Sequence, residues 1–75
     1  MEKITIGTKV IYRPAWGREP QKTAIVEGIE HCQRKGDKYG DSVSEISWRD
    51  KDYGVYILND GHWAYGHQID AIASE

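Results

Sequence analysis

The 75-residue sequence is poor in cysteine and proline, has no phenylalanine and shows no strong excess of either charge. Its one cysteine, Cys32, excludes an intramolecular disulfide and therefore a disulfide-stapled secreted mini-domain. The other soft or imidazole ligands are His31, His62 and His67. They form no Cys-x-x-Cys or His-pair spacing typical of zinc motifs, so neither a metal nor another cofactor is expected.

Long apolar runs are also missing. No stretch reaches the ~20 apolar residues that a membrane span needs. Residues 1–7 do not combine a basic start with an apolar run, so no signal peptide is predicted. These absences predict a cytoplasmic protein without a membrane partner.

The usual catalytic motifs are absent. The sequence contains no phosphate-binding Gly-Lys-Ser/Thr loop and no Gly-x-Ser-x-Gly elbow. His31 and Cys32 are neighbours on a predicted strand, where their side chains point to opposite faces and cannot act as base and nucleophile. Cys32 is better interpreted as a small buried apolar residue. We therefore expect a protein that is not an enzyme.

The charge balance disfavours phosphate neutralisation as the main task. Ten Lys and Arg face twelve Asp and Glu, for a net charge of −2, whereas nucleic-acid binders usually carry a basic excess or stripe. Arg13, Arg18 and Lys22 remain able to form a local basic patch, although an ordinary solvated surface is the simpler interpretation.

The size and residue pattern predict one small all-β domain over residues 1–75, with its core at about 7–72. Short runs rich in Val, Ile, Thr, Tyr and Trp alternate with turn residues, as is typical of strands. The predicted strands are 8–13, 22–32 with a bend at Gly28, 43–49, 55–59 and 69–72. Residues 33–42 are predicted to be a flexible exposed loop, and 50–54 a turn. Ser42-x-x-Glu45 matches a capping box, but period-two alternation follows it, so no helix is predicted.

The strongest local signal is Asp60-Gly61, which suits a two-residue type I′ hairpin turn. Such a turn places Tyr56 opposite Tyr65 and Leu58 opposite Trp63, so that all four side chains share one face. The other face then carries Val55, Ile57 and Ala64. Either face can be the inner one: Trp63 and Tyr65 either fill the core or lie at the surface.

These segments resemble the SH3-like barrel superfamily, especially its Tudor-like and KOW-like branches. The similar stretches are Gly-Thr-Lys-Val-Ile-Tyr at 7–12, Lys-Thr-Ala-Ile-Val-Glu-Gly-Ile at 22–29, the late hairpin at 55–63 and the closing stretch at 68–72. The Trp-Gly loop and Gly-His-Trp-Ala-Tyr-Gly are similar to small uncharacterised bacterial or prophage-borne proteins. The resemblance implies a five-stranded SH3-like barrel. Members of this superfamily bind peptides, modified side chains or nucleic acids, so the fold does not select the ligand.

Aromatic residues are the candidate binding groups. All three Trp and five Tyr carry a polar tip, which suits a surface with one wet end. Trp16 is expected to be exposed in its Pro/Gly loop, and Trp48 to lie in the core. If the 14–20 loop folds over the hairpin, an aromatic cluster forms that can stack a base, grip a proline-rich segment or surround a cation. Its predicted members are Trp16, Tyr56, Trp63 and Tyr65.

Three functions follow from this cluster. The leading hypothesis is a binding module that recognises a protein or peptide through the four aromatic residues, with Arg13 and Arg18 at the rim. The second is nucleic-acid binding by the same rings together with Arg13, Arg18, Lys22, Arg34, Lys35 and Lys38. The third is a structural or accessory subunit of a larger assembly, and self-association of the chain is one form of this hypothesis. The oligomeric state is not predicted.

Overall fold

Short alternating runs of apolar and polar residues form strands along the whole chain, because alternation buries every second side chain of an extended backbone. The computed structural model describes residues 2–73. Met1, Ser74 and Glu75, which the predicted domain 1–75 includes, lie outside the described residues. Within residues 2–73 there are eight strands: β1 (Lys3–Thr5), β2 (Lys9–Tyr12), β3 (Lys22–His31), β4 (Asp41–Val43), β5 (Glu45–Ser47), β6 (Gly54–Leu58), β7 (Trp63–Tyr65) and β8 (Ile69–Ile72).

Helical structure in this part of the chain is confined to short turns. They are a four-residue turn at Pro14–Gly17 and two 3-10 helices at Trp48–Tyr53 and Gly66–Gln68. No helix among residues 2–73 has the length and apolar character needed to cross a membrane. The prediction of a mostly β chain is therefore confirmed. The predicted strand 43–49 is instead divided between β4, β5 and the first 3-10 helix.

The strands form one large antiparallel sheet and a small second one. The large sheet has the order β7-β6-β3-β2-β8, with β4 added beside β3. The small sheet consists of β1 and β5. Strands β7 and β8 end the large sheet and do not pair with each other within the described range, so the sheet is not a closed barrel of five strands.

The ten residues of β3 connect the two halves of the large sheet. The beginning of β3 pairs with β2, and its end pairs with β6 and β4. The pairing with β6 shifts register between Val26 and Gly28. Such a bulge bends a strand, which agrees with the predicted bend at Gly28.

Two fully buried tyrosines, Tyr12 and Tyr56, are the largest side chains in the core. A buried tyrosine needs a partner for its hydroxyl. The Tyr12 hydroxyl donates to Oδ2 of Asp60 over 2.5 Å, and the Tyr56 hydroxyl donates to the carbonyl of Lys51 over 2.8 Å. Trp48 is partly buried and packs against this core, as predicted, but from a 3-10 helix and not from a strand.

The final hairpin has a three-residue loop, one residue longer than predicted. The amide of Leu58 donates to the carbonyl of His62 over 2.9 Å, which leaves residues 59–61 in the loop. Gly61 has a φ of +87°, the left-handed conformation that three-residue hairpin loops use. The observed pairs are Val55 with Tyr65, Tyr56 with Ala64, and Ile57 with Trp63.

This one-residue difference exchanges the faces of the hairpin, because strand side chains alternate with period two. Tyr56, Leu58 and Ala64 now face the core together. The predicted grouping of Tyr56 with Trp63 and Tyr65 is therefore wrong. The opposite face carries Val55, Ile57, Trp63 and Tyr65. Of these, Val55 and Tyr65 are buried in a small second cluster with Cys32, whereas Ile57 and Trp63 are exposed.

Asp60 connects the hairpin loop to the rest of the sheet. Besides the bond from Tyr12, its Oδ1 accepts the amide of His62 over 3.0 Å, and its Oδ2 lies 3.5 Å from Nζ of Lys22. Burial by itself raises the pKa of the Asp60 carboxyl, but the hydrogen bonds from Tyr12 and His62 outweigh it and lower the pKa to about 2. The folded state therefore favours the ionised carboxylate.

We predict that Tyr12→Phe lowers the free energy of unfolding at pH 7 by about 1–3 kcal/mol, because the variant loses a hydrogen bond to a charged group. Because the pKa of Asp60 is lowered in the folded state, the ionised carboxylate contributes to the free energy of unfolding above about pH 4. This contribution is lost as the pH falls towards 2. A shift from 3.8 to about 2 corresponds to about 2 kcal/mol. Urea unfolding at several pH values should show the loss in Tyr12→Phe shrinking across this range.

Tyr56→Phe is the matched control, since its hydroxyl donates to an uncharged carbonyl. The loss of stability in Tyr56→Phe should be the same at pH 7 and at pH 2. Equal pH dependence in the two variants would contradict the assigned role of Asp60.

Candidate functional site

The turn after β2 has an unusual backbone. Ala15 has φ 54° and ψ 51°, Trp16 has φ 63° and ψ 23°, and Gly17 has φ 90°. A left-handed conformation costs an L-residue about 1–2 kcal/mol. Two consecutive non-glycine residues in this conformation are strained, and such strain is concentrated at functional sites. The residue held there, Trp16, is 67% exposed, which confirms its predicted exposure.

The indole of Trp16 stacks on the ring of Tyr65. Their ring centroids lie 5.3 Å apart with an interplanar angle of 21°. His67 also stacks with Tyr65, at 6.1 Å and 10°, and Trp63 lies tilted to it at 6.3 Å and 55°. The 14–20 loop therefore folds over the hairpin, which is the condition for an aromatic cluster. Tyr65 is 9% exposed and serves mainly as the base on which the other rings rest.

A buried amide, Gln68, joins the loop to the hairpin. Its side chain is 4% exposed. Its Nε2 donates to the carbonyl of Arg13 over 3.0 Å, and its Oε1 accepts the amide of Tyr65 over 3.0 Å. The amide of Arg13 also donates to the carbonyl of Gln68 over 3.0 Å. These three bonds hold the start of the turn beside β7.

The rings border an open cavity of about 310 Å³, which we call the aromatic groove. It is lined by Ala15, Trp16, Lys38, Trp63, Tyr65 and Gln68. Trp63 of β7, which contributes one wall, is 55% exposed. Lys38 comes from the exposed loop between β3 and β4, which ends at Gly40 because residues 41 and 42 of the predicted loop 33–42 belong to β4, and it is the only charged side chain in the lining. The groove is thus apolar and flat-walled, with one cation and no carboxylate.

The predicted site residues therefore separate into two groups. Trp16, Trp63 and Tyr65 come together in the aromatic groove, whereas Tyr56 is 0% exposed in the core. Neither predicted rim arginine lines the groove. The Nε of Arg13 is buried 3.0 Å from Oδ2 of Asp70, close enough for an ion pair but without hydrogen-bond geometry. Arg18 is exposed, and its amide caps the strained turn by donating to the carbonyl of Ala15 over 3.1 Å.

Besides Ala15, the neighbour of Trp16 in the strained turn, sequence reasoning missed two groove residues, Gln68 and Lys38, as parts of the aromatic site. Gln68 directly precedes the predicted strand 69–72, and no local pattern distinguishes a buried amide from a solvated one. Lys38 was included only among the basic residues of the nucleic-acid hypothesis. Both reach the site through contacts distant in sequence.

The basic residues of the nucleic-acid hypothesis do not form one stripe available to phosphates, because three of them contact other groups of the protein. Lys22 is paired with Asp60, and Arg13 with Asp70. Nζ of Lys35 lies 5.7 Å from the ring centroid of Tyr53. These contacts place part of the positive charge against the protein itself.

A second, more open cavity of about 510 Å³ lies near the end of β3. Its lining includes His31, Cys32, Asp41 and Asp50. Within residues 2–73, no group of three or more His, Cys, Asp or Glu side chains is arranged to hold a metal ion. Cys32 is 3% exposed, which confirms its predicted burial, and that burial raises the pKa of its thiol. A protonated, buried thiol is a poor nucleophile.

No family model matches the chain, and no match is found among curated proteins or solved structures. The function is therefore argued from the aromatic groove.

We predict that Ala15→Gly raises the free energy of unfolding by up to about 1 kcal/mol. Glycine removes the left-handed penalty of about 1–2 kcal/mol but adds up to about 1 kcal/mol of unfolded-state entropy. Urea unfolding followed by tryptophan fluorescence measures the change. Ala71→Gly in β8 is the control, and it should lower the stability by about 0.5–1 kcal/mol. A loss in Ala15→Gly as large as that in Ala71→Gly would refute the strained turn.

Proposed function

We propose that this chain is a non-catalytic binding module of the SH3-like type, which holds an extended segment of a partner protein in the aromatic groove. The observation that carries the proposal is the display of Trp16. A 67% exposed indole is kept on a strained left-handed backbone. Unfavourable backbone at an exposed tryptophan is consistent with selection for contact with another molecule.

The form of the groove favours a peptide as its ligand. Rigid aromatic side chains supply a large contact area at low entropic cost, and Trp and Tyr are enriched at binding hot spots. Flat ring walls suit proline or another apolar side chain of an extended segment. At about 310 Å³, the cavity is at the lower limit of small-molecule pockets, which span ~300–1,000 Å³. It therefore suits side chains better than a whole metabolite.

The SH3-like assignment is supported by the strand path. Strands β2, β3, β6 and β7 follow one another as antiparallel neighbours, and β8 returns to pair with β2. The strained turn follows the first of these strands, and Gln68 stands just before the last. The groove thus combines a long early loop with the connection into the final strand.

Two other ligands fit the groove less well. A cation would meet the ammonium group of Lys38 with no carboxylate in the lining to balance it. A nucleic-acid strand could stack on the rings, but the net charge is −2 and three of its predicted contacts, Arg13, Lys22 and Lys35, are engaged within the protein.

We predict that Trp16→Ala and Trp63→Ala each weaken peptide binding by about thirtyfold or more, the effect of losing a hot spot of ~2 kcal/mol. A displayed library of random dodecapeptides is selected against the wild-type protein. The affinities of the enriched peptides are then measured by isothermal titration calorimetry for each variant. Ile6→Ala is the control, because Ile6 is 47% exposed but lies outside the groove, and it should leave affinity unchanged.

Single-stranded and duplex oligonucleotides are tested in parallel at low salt. Binding to oligonucleotides that weakens as salt is raised, together with no enrichment of peptides, would replace the proposed function with nucleic-acid binding. Loss of affinity in Ile6→Ala equal to that in the tryptophan variants would place the ligand elsewhere. Sedimentation of the free protein tests the third hypothesis, and a stable self-association blocked by Trp63→Ala would favour it.

A further inference from the structure

A second pocket adjoins the aromatic groove on the other side of Trp63. It has a volume of about 180 Å³ and is lined by Glu30, Lys38, Tyr39, Val55, Ile57 and Trp63. Trp63 and Lys38 line both cavities. The two cavities are therefore neighbours, separated by one indole and flanked by one ammonium group.

The second pocket exists because of the hairpin register. Pairing Ile57 with Trp63 puts these two side chains side by side on the outer face. Ile57 is 43% exposed, Trp63 55% and Tyr39 80%. Together with Trp16, they extend the apolar surface well past the aromatic groove. An apolar cavity of ~150 Å³ accepts a benzene ring, so the second pocket has room for one sizeable apolar side chain.

Lys38 supplies the charge at this surface. Within residues 2–73, no carboxylate lies within ion-pair distance of its ammonium group. Glu30 lines only the second pocket, and its Oε1 accepts the amide of Gly40 over 3.3 Å. The aromatic groove itself contains no carboxylate. An anionic ligand group is therefore best accommodated at Lys38 on the Trp16 side.

We propose that the ligand is an acidic, apolar peptide segment that straddles Trp63. One apolar side chain occupies the aromatic groove, a second occupies the pocket beside Ile57, and a carboxylate of the segment pairs with Lys38. This inference rests on the proposed function and specifies the class of its ligand. Charge complementarity at the aromatic groove favours this occupant over a basic segment, because Lys38 is the one charged side chain in its lining and Glu30 lines only the second pocket.

The test repeats the dodecapeptide selection on wild-type protein, Lys38→Glu and Lys9→Glu. Lys9 is an exposed lysine of β2 that lines neither cavity, so Lys9→Glu changes the net charge equally without altering the groove. We expect Asp or Glu between apolar residues in peptides enriched by the wild-type and Lys9→Glu proteins. Peptides enriched by Lys38→Glu should carry Lys or Arg instead. An enriched acidic peptide should bind Lys38→Glu roughly two- to fivefold more weakly, as expected for an exposed ion pair.

The second pocket is tested with Ile57→Thr, which keeps a β-branched side chain on the strand. It should weaken binding of the same peptides about tenfold, because threonine offers less apolar surface to the peptide than isoleucine, while amide spectra confirm the fold. In the wild-type protein, the peptide should shift the amide signals of Ile57 and Tyr65 together, because Ile57 lines the second pocket and Tyr65 lines the aromatic groove.

The outcomes distinguish the two proposals. No enriched peptide for any of the three proteins would overturn the proposed function and this inference with it. Peptides that require Trp16 and Trp63 but show no charge preference, or tolerate Ile57→Thr, would overturn this inference alone. Equal reversal of charge preference in Lys9→Glu and Lys38→Glu would show a general field effect and also overturn it.

Discussion

The hydrogen bond from the buried hydroxyl of Tyr12 to Asp60 is the interaction on which the arrangement of this protein depends. It joins the loop of the final hairpin to β2, which lies between β3 and β8 in the large sheet. With Asp60 held there, residues 59–61 form a three-residue loop and Ile57 pairs with Trp63. Core and surface follow from this register: Tyr56 goes inside, and Trp63 goes outside.

The outer face is then completed by groups from elsewhere in the chain. Gln68 holds the strained turn beside β7 through three hydrogen bonds that involve its side chain or backbone. Tyr65 supports the indole of Trp16. Aromatic pairs contribute about 0.5–1.5 kcal/mol, and a net hydrogen bond contributes about 0.5–1.5 kcal/mol. Contacts of this size are sufficient to offset the cost of two left-handed residues.

The sequence allowed much of the local structure to be predicted. The strands near 8–13, 22–32, 55–59 and 69–72 were identified because alternation and turn residues are local signals. The exposure of Trp16 and the burial of Cys32 followed from their immediate surroundings. The hairpin register did not, because Asp60-Gly61 suits a two-residue loop and equally supplies the left-handed glycine of a three-residue loop. The contact that decides between them joins Asp60 to Tyr12, 48 positions away. The partners of Gln68 and the place of Lys38 in the groove are likewise tertiary.

The contact between Gln68 and Tyr65 has a consequence for the behaviour of the protein in concentrated solution. Strand β7 ends the large sheet, and an exposed strand edge is a template for pairing with other chains. The amide of Tyr65, at the end of β7, is occupied by the side chain of Gln68 and is not available to an incoming backbone. The occupied amide removes one of the donors that an incoming strand would need at β7, and so disfavours polymerisation through this edge.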